Sequence, residues 1–104
     1  MATLRVVEFL TSASASSTSN WINLDYRFAE GPTRVIWSTL QPVSGSVHIE
    51  VAASVASLTA AAPPTLVTVT TFTTAFKYDF TTPWPYIRVR KDASGNGLNI
   101  IGVV

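Results

Sequence analysis

Three stretches of the chain alternate with a period of two. In "SVHIEVAAS", Val47, Ile49, Val51 and Ala53 fall on one side, and Ser46, His48, Glu50 and Ala52 on the other. In "AFKYDF", Phe76, Tyr78 and Phe80 alternate with Ala75, Lys77 and Asp79. In "YIRVRK", Ile87 and Val89 are set inward, and Tyr86, Arg88 and Arg90 outward. Successive side chains of a strand point to opposite faces, so this pattern describes half-buried β-strands and not helices. Between such runs stand turn formers: Gly31-Pro32, the Pro63-Pro64 pair, "TTPWP" and "DASGNG". Proline removes a backbone donor and cannot lie inside a central strand. In the last turn, Asn96-Gly97 is expected to supply positive φ.

Further strands are expected in "TLRVVEFL", "WINLDY" (Ile22, Leu24 and Tyr26 on one face), "EGPTRVIWSTL" (Val35 and Trp37 opposite Ile36), "TLVTVTTF" and "LNIIGVV". About eight short strands with turns between them predict an all-β domain, a small antiparallel β-sandwich or jelly roll. At 104 residues the chain reads as a single domain, residues 1–104. "TSASASSTSN", residues 11–20, is small and polar and reads as a flexible connection. A strand followed by such a segment could reach a neighbouring subunit by strand addition. "VASLTAAAPP" reads as either a helical turn or a crossing loop.

Composition narrows the function. Charged residues make up 12% of the chain, and formal net charge is +1. Average soluble chains carry about 25% charged residues. A β-rich domain with few charges has few devices to blunt its sheet edges, which suits life inside an assembly. Residues 51–76 carry no charge, but the proline pair and the many threonines argue against a membrane span. There is no cysteine, hence no disulfide and no thiolate metal site. Arg5 and Glu8 interrupt the first apolar run, unlike the core of a secretory signal.

Catalytic signals are thin. His48 is the only histidine, and no Gly-x-Ser-x-Gly elbow occurs. A hydroxyl–imidazole–carboxylate triad is recognised by geometry, which a sequence does not display. The acids are dispersed, and no glycine loop precedes a helix. No enzyme activity and no cofactor or metal is expected. Arg88, Arg90 and Lys91 beside Trp84 and Tyr86 have the components of a nucleic-acid platform. Seven basic residues against six acidic ones speak against it. The strip is read instead as a docking edge. Trp84, held between Pro83 and Pro85, is its anchor, and Tyr86, Arg88, Arg90 and Lys91 make up the rest of the interface. Trp21, Trp37 and Trp84 otherwise fill core or interface, or stack on a sugar.

"WINLDYR", "SGSVHIEVAAS" and "PWPYIRVRKDASGNGLNIIGVV" together resemble short β-sandwich virion structural proteins of tailed bacteriophages. The resemblance spans most of the chain beyond Trp21, and its motifs are general sandwich features. It implies a capsid decoration or cement protein whose partners are the major capsid protein or other virion proteins. It also implies assembly in the bacterial host cytoplasm and a homo-oligomeric state in the virion, a trimer among the forms open to it. The Ala-rich segment after Glu50 departs from the acidic or Trp-containing loop that many relatives carry there. A tail, neck or fibre-associated adaptor and a carbohydrate-binding sandwich module are the alternatives. Neither nucleic acid nor membrane is expected as a partner.

Overall fold

A computed structural model describes residues 4–24, 31–59, 61, 63 and 65–104. Nine strands form two antiparallel sheets, and no helix occurs among the described residues. The strands are β1 (Val6–Ala13), β2 (Ser17–Thr18), β3 (Ile22–Asn23), β4 (Arg34–Ser38), β5 (Val47–Ala52), β6 (Val67–Phe72), β7 (Phe76–Phe80), β8 (Tyr86–Lys91) and β9 (Leu98–Val103). The first sheet has the order β1-β9-β4-β7. The second has the order β2-β8-β5-β6, with β3 also pairing β8. The chain is a small β-sandwich.

The core lies between the sheets and follows from alternation. Val47, Ile49 and Val51 of β5 and Ile87 and Val89 of β8 are fully buried, facing Ile36, Leu98 and Ile100 of the other sheet. One end of the sandwich is closed by aromatic rings. Phe72 of β6 stacks on Phe76 of β7 at 4.1 Å and meets the Tyr78 edge at 5.6 Å. The chain changes sheets between these two strands, so the rings hold the crossing together.

Two expectations are corrected. Residues 11–20 are not simply a connection: β1 continues to Ala13 and Ser17–Thr18 pairs with β8. β1 does so by bending. Its register on β9 shifts twice, and Ser12 has φ +47°, with its N–H donated to Asn99 Oδ1 at 2.7 Å. Small polar residues suit such bulges. The first strand, β1, pairs β9 within the chain, and Val104 N–H donates to the Arg5 carbonyl at 2.9 Å. Finally, the positive φ of the last turn sits at Gly95 (+76°) and not at Asn96-Gly97.

Gly45, at φ +74°, lies against that turn: a Cβ there would stand 2.6 Å from the Ala93 carbonyl oxygen. Only glycine allows the β4–β5 and β8–β9 turns to pack so closely. The Ala-rich stretch after β5 runs as bends and turns where it is described. Of the "WINLDY" run, Tyr26 lies outside the described residues.

Candidate functional site

The predicted docking strip lies on β8, a central strand of the second sheet. Register places Glu50 of β5 directly opposite Arg88, and His48 opposite Arg90. All four point away from the core. Cross-strand partners on one face lie close enough to bond. Glu50 Oε1 accepts from Arg88 Nε at 2.9 Å, and Glu50 Oε2 accepts from Arg90 Nε at 3.0 Å. One carboxylate thus serves two guanidinium groups.

The outward face is nevertheless closed here. Glu50 is 2% exposed and Arg88 5%. Between residues 19 and 22 the edge segment along β8 carries an extra residue. Ser19 N–H donates to the Val89 carbonyl at 2.8 Å, while Ile22 pairs with Ile87. Such a bulge re-aims a side chain. The one re-aimed is Trp21, whose ring lies 4.5 Å from the Arg88 guanidinium. The Trp21 N–H donates to the Leu58 carbonyl at 2.7 Å, tying the β5–β6 connection over the same place. Trp21 is 1% exposed. Stacking satisfies the flat guanidinium face that hydrogen bonds leave open.

Lys91 is the second surprise. It shares parity with Ile87 and Val89 and sits opposite Val47, so it enters the end of the core layer and is 1% exposed. Its Nζ donates to the carbonyls of Ala15 at 2.7 Å and Asp92 at 2.9 Å. Burial pushes the Lys91 ammonium below its ordinary range, and the Asp92 charge offsets part of that shift. Arg88 and Lys91, both expected in the docking edge, are therefore buried side chains whose polar atoms are engaged within the chain. Trp84, Tyr86 and Arg90 are half-buried. Trp84 packs against the core, and its N–H donates to Thr82 Oγ1 at 3.1 Å.

His48 completes the polar face. Its Nδ1 lies 3.0 Å from Thr71 Oγ1 on β6, and its Nε2 lies 3.7 Å from Asp92 Oδ2. This places a hydroxyl, an imidazole and a carboxylate in a line. The carboxylate is beyond hydrogen-bond reach of the ring and accepts from the Ser46 N–H at 3.1 Å instead. The arrangement links β6, β5 and the exit of β8. Among the described residues no group of three or more His, Cys, Asp or Glu side chains could hold a metal. No helix among them is long and apolar enough to cross a membrane.

The outer face of the first sheet is built differently. Register sets two rows across β1, β9, β4 and β7. Glu8, Ile101, Trp37 and Lys77 lie side by side. One step along the strands lie Val6, Val103, Val35 and Asp79. The central positions of both rows are apolar and only half-buried, and Val6 is 71% exposed. Towards the end of β4 and the start of β7 the face opens into an apolar groove of about 680 Å³, lined by Val35, Trp37, Thr39 and Lys77 among others. Charge stays at the edges. Glu8 marks the β1 side, and Lys77 and Asp79, 3.9 Å apart and well exposed, mark the β7 side.

Reading the sequence missed this face. Its signal was the outward parity of Val35, Trp37, Ile101 and Val103, but their adjacency requires the pairing of β9 between β1 and β4. Comparison with protein-family models, curated proteins and solved structures finds no match for this chain.

Proposed function

We propose that the chain is a structural protein of a tailed-bacteriophage virion, a decoration or cement protein that binds the capsid shell and works by surface association. The observation that supports this reading is the open apolar face of the first sheet, beside polar groups that are tied up with one another on the second. Contiguous exposed apolar surface rimmed by polar residues marks association sites. A site built for chemistry would instead converge polar groups onto a cleft. The groove on the first sheet is lined mainly by apolar side chains and threonine, with Lys77 at its rim. The assignment to the virion, and to the shell ahead of the tail or neck, rests on the sequence resemblance. Its partners are the major capsid protein or other virion proteins met in the bacterial cytoplasm. The half-exposed Trp84, Tyr86 and Arg90 remain a second contact region on this reading.

Co-sedimentation tests it. The purified chain is mixed with empty shells of the phage that encodes it, with isolated tails, and with DNA. Saturable binding to shells at a fixed number of copies is expected. Binding to tails alone would move the protein to the adaptor role. Binding to DNA with a steep salt dependence would overturn the reading altogether.

A further inference from the structure

The row Glu8, Ile101, Trp37, Lys77 begins with an acid and ends with a base, with two apolar side chains between. Such a row complements its own reverse. We infer that the outer face of the first sheet binds a second copy of this chain, forming a twofold dimer; this rests on reading that face as an association surface.

The geometry follows from the strand order. Consider an axis parallel to the strands, lying in the interface between β9 and β4. It lays β1 of one copy over β7 of the other, and β9 over β4. Trp37 then covers Ile101 of the second copy, and Val35 covers Val103, each contact occurring twice. Glu8 meets Lys77 of the second copy at both rims. An axis perpendicular to the strands would instead lay β1 on β1 and β7 on β7, where Glu8 meets no base in either row. Glu8 therefore favours the axis parallel to the strands. Facing sheets pack about 10 Å apart and cross at roughly 30°, a displacement that long Glu and Lys side chains can span. A closed twofold contact uses the same patch on both subunits, which an acid–apolar–base row permits by symmetry. The exposed Val6 and the groove beside Trp37 lose solvent in the same step.

Sedimentation equilibrium of the full chain alone, without shells, tests the inference. The expected result is a reversible monomer–dimer equilibrium. Glu8→Lys and Lys77→Glu should each weaken it by about tenfold, since each sets like charges together at both rims. The double variant Glu8→Lys/Lys77→Glu should return to within about threefold of the natural chain, because reversed partners are again complementary. Ile101→Lys, which places a charge at the centre, should leave a monomer. Thermal melts of the same variants separate loss of association from loss of fold. A monomer at all concentrations, a stoichiometry other than two, or a dimer indifferent to the charge reversals would each overturn the inference. So would two weakened single variants that the double variant fails to rescue. A dimer that ignores shells refutes the virion role and leaves the dimer standing. A strict monomer that binds shells does the reverse.

Discussion

The two outward-facing sheet surfaces are made by the same alternation and have opposite fates. On the second sheet the outward positions of β5 and β8 are charged: Glu50, Arg88 and Arg90. On the first, the outward positions of β4 and β9 are Val35, Trp37, Ile101 and Val103. Hydropathy alone would bury the second set and leave the first in water. The chain instead buries Glu50 and Arg88 and leaves the apolar set half-exposed, because Trp21 and the β5–β6 connection lie over the charged pair as a partial third layer. Period-two parity reports which face a side chain takes. It does not report what covers that face.

Four measurements can break or sharpen this contrast. The largest effect is expected from Glu50→Ala, which leaves Arg88 under Trp21 without its carboxylate. Removing one partner of a buried ion pair costs roughly 3–5 kcal/mol, read as a lower midpoint in urea unfolding. Replacing both partners with apolar residues of similar volume, as in Glu50→Leu/Arg88→Met, should recover much of that loss. A Glu50→Ala variant as stable as the natural chain would mean that the face is open to water.

Next comes Trp21→Ala. A buried aromatic truncated to alanine costs about 3 kcal/mol or more, and here it also uncovers Arg88. Faster amide exchange at the Glu50 and Arg88 positions should accompany the lower midpoint. Unchanged exchange would detach Trp21 from the network.

A smaller effect comes from Lys91. Its folded pKa lies below the ordinary 10.5, so between the two values the unfolded chain binds more protons. Its contribution to stability is then lost as pH falls through the folded pKa and is fully present above the unfolded one. Relative to Lys91→Met, the natural chain should gain stability as pH rises from neutral towards about 10.5. A flat difference across that window would show that Lys91 is solvated.

The smallest effect belongs to the first sheet. Asp79→Ala breaks only the exposed pair with Lys77, and exposed pairs contribute at most about 1 kcal/mol. A loss as large as that of Glu50→Ala would erase the distinction between the two faces.

Much of this fold was legible in the sequence. The alternation in "SVHIEVAAS" and "YIRVRK" named the buried Val47, Ile49, Val51, Ile87 and Val89, and the prolines and glycines marked the turns. Lys91 could also have been placed inward, since it continues the parity of Ile87 and Val89. The rest was hidden for a physical reason. The cover over Arg88 depends on a one-residue bulge at 19–22 and on a hydrogen bond from Trp21 to Leu58, 37 residues away (58 minus 21). The apolar rows depend on β9 settling between β1 and β4. Both are non-local pairings that no short window of sequence contains.

Hydroxyl-radical footprinting compares the two faces in one experiment. Dilute, unassembled protein is labelled, and oxidation is read at Trp21 and Trp37 by mass spectrometry. The account predicts that Trp37 and Ile101 react while Trp21 is protected. It also predicts that Trp37 and Ile101 become protected when the protein is concentrated or bound to its partner. Trp21 reacting as fast as Trp37 in dilute protein would contradict the account. So would an assembled state that shields Trp84, Tyr86 and Arg90 and leaves Trp37 reactive.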